Sequence, residues 1–346
     1  MKFNWKMFVA ILLMILLIGC DKSTNEENDN INETGKDNQG VEKNGDNNKK
    51  DHDRVNNKVS EAFSPEDFIE VLLDGNYSSI YNQMSETFQS QITIEELEDI
   101  AEDFNEGVDD YDVLTKIQVD DMMEYQWQSD DDSKGIRVYF ADDNTIEGLE
   151  FIPVTANADS DDVWTENTYH MPFQGEWMTF WGGVNNLVNY HYDVVSQRYA
   201  YDLFIMEDGT SHEGSASENE SYFAYGEPVL APLEGKVTVL ENTIEDNTPT
   251  VDTNEEQPLG NHVTIEHENG EYSVIAHLKQ GSVTVEEGDM VDAGDELGKV
   301  GNSGNSSEPH IHFQVSDSPE EGDLSSIRIQ LEHGEDPVRG ETVNGF

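Results

Sequence analysis

The run Gly301-Asn302-Ser303-Gly304-Asn305-Ser306-Ser307-Glu308-Pro309-His310-Ile311-His312-Phe313-Gln314-Val315 decides how this chain is read. A Gly/Asn/Ser turn passes into a short alternating apolar segment, the pattern of a loop entering a β-strand. His310 and His312 are two apart in that strand, so their side chains leave the same face. Two imidazoles on one sheet face beside a glycine-rich loop suit a metal or acid–base site. The competing reading is a pair of half-exposed surface histidines.

From 187 to 316 the surrounding pattern is all β. Short alternating runs at Pro228–Pro232, Gly235–Leu240, His262–His267 and Tyr272–Leu278 are separated by turn signals such as Glu268-Asn269-Gly270. The region reads as a compact antiparallel sandwich or barrel. The acidic stretches 207–226 and 241–260 lack periodicity and are expected to be surface loops flanking the site. The aromatic segment Met171–Gly183 is expected to pack on this domain as a lead-in strand.

Before it comes a different pattern. Ser64-Pro65-Glu66-Asp67 reads as a helix start, and Thr93 with Glu96 as a second capping pair. Apolar faces follow at Phe68–Leu73, Ile80–Met84 and Leu97–Phe104. The period then changes to two, from Tyr111 to Val154. Three helices and four or five antiparallel strands make an α+β domain. It resembles the small cone-shaped domains of nuclear-transport-factor type, and its scattered carboxylates read as a solvated face. A binding or positioning role is expected of it.

The formal net charge is -56, and from residue 59 onward nine Lys/Arg stand against 64 Asp/Glu. A surface of that sign repels nucleic acid and anionic membrane faces. It suits high salt or high pH outside a cell. The single cysteine, Cys20, excludes a disulfide framework and a thiolate metal cage. Lys2 and Lys6 precede an apolar run from Met7 to Ile18, about 18 Å as helix and too short for a hydrocarbon core of about 30 Å. Leu17-Ile18-Gly19-Cys20 follows. This resembles a bacterial lipoprotein leader cleaved before Cys20, which would carry the lipid and anchor the chain to a membrane. The polar residues after it form a tether with a coil dimension of roughly 35 Å and a maximal reach of about 130 Å.

The expected organisation is a leader over 1–19, a tether over 20–58, an α+β domain over 59–154, a bridge over 155–186, the all-β domain over 187–318 and a tail over 319–346. Of the ten histidines, His52, His212 and His333 lie in polar surroundings, His170 lies in the bridge, and His262 and His267 have opposite strand parity. His191, His277, His310 and His312 remain, each on or beside an expected strand. Asp202 is grouped with Arg198 and Ala200 on one strand face. Three of these five would hold a metal and two would move protons.

The segments Asn189-Tyr190-His191, Gln197–Asp202, Ile275–Leu278 and Gly301–Phe313 resemble, in that order, the lysostaphin/LytM-type zinc metallopeptidases, which are peptidoglycan endopeptidases. The resemblance implies one Zn2+ per chain held by His191, Asp202 and His312, with His277 and His310 as the catalytic pair. The implied partner is a peptidoglycan peptide, at the outer side of the membrane. The family's commoner first motif sets His and Asp four apart, whereas ten residues separate His191 from Asp202 here. Either a loop is inserted between two ligands or the true histidine lies elsewhere. No H-E-x-x-H occurs, so a histidine rather than a glutamate would take the proton from water. The alternative function is an inactive module of the same fold that binds peptidoglycan or activates a partner hydrolase. A lipoyl-type carrier is disfavoured because Lys279 and Lys299 lack the apolar hairpin-tip setting such a lysine needs.

Overall fold

The computed structural model describes residues 62–156, 158–319 and 325–346. Cys20, the leader and the tether lie outside the described residues. Among those that are described, no helix is long and apolar enough to cross a membrane.

The N-terminal part begins with a 3-10 turn at Pro65–Asp67 that runs into α1 (Phe68–Leu73). Ser64 Oγ donates to Asp67 Oδ2 at 2.8 Å there, and caps no backbone N–H. Then come α2 (Tyr77–Gln83), α3 (Glu86–Gln89) and α4 (Ile94–Asn105). Thr93 and Glu96 close the expected capping box on α4, each accepting from the other's backbone N–H at 3.2 and 2.9 Å. Four strands follow: β1 (Tyr111–Val119), β2 (Met122–Ser129), β3 (Lys134–Ala141) and β4 (Ile146–Pro153). They form an antiparallel meander in sequence order. Tyr111–Leu114 and Ile117–Val119, separate in the sequence pattern, are one strand interrupted by a bulge between Val113 and Thr115. Phe68, Leu72, Ile80 and Leu97 bury their side chains with Trp127, Ile136 and Phe140 of this sheet. Each such burial contributes about 1.5–3 kcal/mol.

After α5 (Ala158–Asp161) the chain is strand and loop: β5 (Trp164–Tyr169), β6 (Glu176–Trp181), β7 (Tyr201–Phe204), β8 (Pro228–Leu230), β9 (Gly235–Glu241), β10 (Asn261–Glu266), β11 (Tyr272–Leu278), β12 (Met290–Val291), β13 (Glu296–Lys299), β14 (Ile311–Ser316), β15 (Ser326–Leu331) and β16 (Thr342–Asn344). Ten of them build one sheet, ordered β12-β9-β10-β11-β14-β7-β6-β16, with β15 pairing to both β14 and β5. The order has two ends, so the sheet is open rather than closed as a barrel; β8 and β13 make a separate two-stranded sheet. Segment 155–186 supplies β5 and β6, and segment 319–346 supplies β15 and β16. Both are therefore part of the large sheet.

Strand parity separates core from site. On β14 the odd residues Ile311, Phe313 and Val315 enter the core with Val263, Ile265, Ile275, Val229 and Leu297. The even residues, His312 and Gln314, leave the other face.

The two sheets meet at a buried ion network. Arg339 donates to Glu124 of β2 through Nε and Nη2, both at 2.8 Å, and its guanidinium lies 4.3 and 3.8 Å from the Phe180 and Trp181 ring centroids. Arg137 of β3 pairs with Glu150 at 2.9 Å. Burial pushes the Glu124 carboxyl up, but the guanidinium of Arg339 and then that of Arg137 outweigh it and hold it below the usual carboxylate range.

Candidate metal centre

The site is assembled by strand pairing. His312 of β14 stands directly opposite Asp202 of β7 on one side and Ala276 of β11 on the other. His277 follows Ala276, and regular pleating would send it to the far face. Its φ is +64°, the left-handed region, a conformation costly for a residue with a Cβ. That turn brings its ring to 4.8 Å from His310 and 5.6 Å from His312, centroid to centroid. Gly301 accepts this geometry by donating its N–H to the His277 carbonyl at 3.1 Å, and a Cβ on Gly301 would lie 2.3 Å from the Lys279 backbone.

His191 arrives from a 3-10 turn at Tyr190–Asp193. Its Nε2 lies 3.0 Å from Asp202 Oδ2, so the long sequence spacing is spanned by an excursion between β6 and β7. Residues 198–200 precede β7 and are not extended strand. Arg198 therefore does not share a strand face with Asp202; its Nε donates to the Tyr192 carbonyl at 3.0 Å.

All five residues come together, each 7% exposed or less. The ligand atoms of His191, Asp202 and His312 lie within 4.8 Å of one another, a possible His/Asp metal site. His312 Nδ1 is 3.0 Å from Asp202 Oδ1, and His310 Nε2 is 3.6 Å from the same oxygen. Phe204, two along β7 from Asp202, stacks on His310 at 4.9 Å. The Tyr190 ring lies 3.9 Å from that of His191. Tyr190 is 51% exposed overall, but its hydroxyl is turned to Asp202, and desolvation there, then the carboxylate charge, raises its pKa.

The outer nitrogens of the imidazoles are held by acceptors. His191 Nδ1 meets Gln197 Oε1 at 3.0 Å, and His312 Nε2 meets Gln314 Oε1 at 2.9 Å. Gln314 spends its amide N–H on the Ser196 carbonyl at 3.0 Å, which turns its oxygen to the histidine. These acceptors favour the tautomer with the proton on the outer nitrogen. With the proton on the outer nitrogen, His191 Nε2 and His312 Nδ1 would be free to ligate a cation beside the Asp202 oxygens; without a cation, either can donate to the carboxylate instead. The donor set fits a metal ion.

The other two histidines direct Nδ1–H to backbone carbonyls, His277 to Ser303 at 2.9 Å and His310 to Glu308 at 2.8 Å. Nε2 is the second nitrogen of each ring, and that of His310 lies 3.6 Å from Asp202 Oδ1. Burial, then the imidazoles of His310 and His312, push His277 well below the usual imidazole range. For His310 burial also opposes the charge, but Asp202 overrides it and the pKa is raised. Asp202, despite burial, is held well below the carboxylate range by His191 and His310.

The loop stretch 241–260 braces the glycine-rich turn. Asn247 N–H donates to the Asn302 carbonyl at 2.8 Å and its side chain to those of Gly304 and Ser306 at 2.7 and 2.9 Å. From 207–226, Ser211 Oγ donates to Glu308 Oε2 at 2.7 Å. The remaining described histidines stay out of the site. His262 bonds to the Gly260 carbonyl, His267 to Glu234 and Ser273, His212 lies beside Thr210, and His170 stacks on Phe346. Gln314 was legible as a same-face neighbour of His312 at i+2; nothing in the pattern singled out Gln197.

Fold and site together describe a β-rich protein with a buried His/His/Asp cluster able to hold a metal ion, beside two further histidines. Residues 220–323 match the model of peptidase family M23. The match includes His277, His310 and His312; His191 and Asp202 lie ahead of it. Cell division protein DipM of Caulobacter vibrioides (strain NA1000 / CB15N) is 31% identical over 94 residues, which is 27% of this chain and 13% of that protein. Among solved structures, the M23 metalloprotease pseudoalterin aligns at 17% identity over 52% of this chain and 99% of its own, with TM-score 0.32. The catalytic domain of the antimicrobial peptidase lysostaphin from Staphylococcus simulans aligns at 18% over 44% and 88%, with TM-score 0.26.

Proposed function

We propose that this chain is a zinc-dependent endopeptidase that hydrolyses peptide bonds of peptidoglycan stems or cross-bridges, outside the cell membrane. The carrying observation is the convergence of His191, Asp202 and His312 within 4.8 Å, with both imidazoles oriented from behind by glutamines. His191 Nε2, an Asp202 oxygen and His312 Nδ1 would hold the ion. Zinc bound there supplies Lewis acidity, polarising a peptide carbonyl and lowering the pKa of water to about 7. His277 and His310 offer Nε2 on the same side, one ring 4.8 Å from the other. Between them they take a proton from water and support the oxyanion or protonate the leaving amine. The M23 match over 220–323 supports this reading.

The wider arrangement is proposed on the same footing. Cys20 would carry a lipid, the stretch 20–58 would act as a tether, and the N-terminal α+β part, of nuclear-transport-factor type, would position the peptidase domain.

The test is metal analysis with mass spectrometry of peptidoglycan digests. His312→Ala is expected to lose zinc and hydrolysis, and His310→Ala to keep zinc and lose hydrolysis. Hydrolysis surviving in both variants overturns the assignment. Stoichiometric zinc without any hydrolysis by the wild type would favour a non-catalytic envelope module.

A further inference from the structure

Between Gly182 and Tyr201 the chain leaves the large sheet, and His191 sits midway along this excursion. Asn189 organises it from within, its amide donating to the carbonyls of Gly183, Arg198 and Ala200, each at 3.2 Å, and its oxygen accepting from His191 N–H at 3.1 Å. The outer side is held by a different part of the molecule. Arg137 Nη2 of β3 donates to the Leu187 carbonyl at 2.5 Å. The fully buried Leu187 side chain lies over Gly135, where an added Cβ would come within 2.7 Å of it. Asn186 donates to the Pro153 carbonyl at 3.1 Å and accepts from Thr155 N–H at 3.0 Å. Thr155 Oγ1 then donates to Asp193 Oδ1 at 2.8 Å, two residues beyond His191.

We infer that β3 and the chain at and just beyond the end of β4, up to Thr155, are positioning elements for the metal ligand His191, so that metal affinity is set in part by the N-terminal α+β part. The inference rests on His191 being a ligand, as proposed above. A ligand carried on a loop is less precisely placed than one on a strand and depends more on what braces it. Here the brace belongs to the α+β part, which makes the site incomplete without it. Asn186 and Thr155 are the grip points to test, because neither is fully buried and neither touches the donors.

The experiment uses the full chain with Asn186→Ala and Thr155→Val combined. Zinc affinity is measured by competition with a chromophoric chelator, and the Co(II)-substituted protein is examined by visible absorption. Unfolding is followed in EDTA. Lys116→Ala, which removes an exposed ion pair with Glu66 elsewhere in the same sheet, is the control. The double variant is expected to bind zinc about tenfold more weakly and to shift the Co(II) bands, the scale seen when groups behind a ligand are lost. Its metal-free unfolding temperature should match that of the control, which binds zinc normally. Unchanged zinc affinity and Co(II) spectrum in the double variant would overturn the inference while leaving the metal site standing. If His191→Ala retains full zinc affinity, the ligand assignment itself fails and the inference falls with it.

Discussion

Replacing Glu124 by Gln keeps the shape of the side chain and removes one charge from the middle of the molecule. Glu124 is fully buried and accepts from Arg339 Nε, Arg339 Nη2 and Gln126 Nε2 at 2.8, 2.8 and 2.7 Å. Arg339 is itself 2% exposed at the side chain, so the substitution strands a guanidinium against the Phe180 and Trp181 rings. Breaking a buried pair from one side costs about 3–5 kcal/mol. In a protein of this size that is an unfolding temperature lower by roughly 5–8 °C. The assay is thermal unfolding by circular dichroism, repeated from pH 7 to pH 3. Because the folded pKa of Glu124 is depressed, its contribution is complete above the unfolded value, near 4.5, and is lost as pH falls through the lower folded value. Wild type and Glu124→Gln should therefore converge in acid. A double change to Glu124→Leu and Arg339→Met should recover part of the loss, since it removes both charges of the pair together and leaves only the neutral Gln126 amide without its carboxylate partner. A Glu124→Gln variant within about 1 kcal/mol of wild type at pH 7, or a gap that stays constant down to pH 3, would refute the account of this network.

His267 tests a different pH window. Its two ring nitrogens, bonded to the Glu234 carbonyl and Ser273 Oγ at 2.8 Å each, suit the neutral ring, and burial lowers its pKa below 6.5. Its contribution is present above the unfolded pKa and lost as pH falls below it, so His267→Gln should flatten the fall of urea midpoints below about pH 6.5; an unaltered slope would count against this. The acidic surface should make the protein firmer in salt. Raising ionic strength from 0.01 to 1 M shortens the screening length from about 30 to 3 Å and should raise the unfolding temperature, whereas no change would argue against a high-salt habitat.

Much of the site was legible in the linear chain because its signals are local. An H-x-H at the mouth of a Gly/Asn/Ser turn places two side chains on one strand face whatever the rest of the fold does, and His277 and Asp202 sit on recognisable alternating runs. The capping pair at Thr93 and Glu96 is local in the same way. Arg198 shows where this reasoning stops: alternation alone extended β7 back over it, yet the backbone turns before Tyr201. His277 shows it again, since pleating predicts the wrong face and only a positive φ, stabilised by the neighbouring Gly301 turn, corrects it.

What composition and spacing determined by themselves was the acidic surface, the two secondary-structure regimes and the roster of five candidate residues. Only tertiary structure decided that His191 belongs with Asp202 across ten intervening residues, that Gln197 and Gln314 orient the imidazoles, and that Glu124 and Arg339, 215 positions apart, join the two sheets. The physical reason is that a side chain's direction is set by its own strand or turn, whereas its partner is set by how distant strands register and loops are braced.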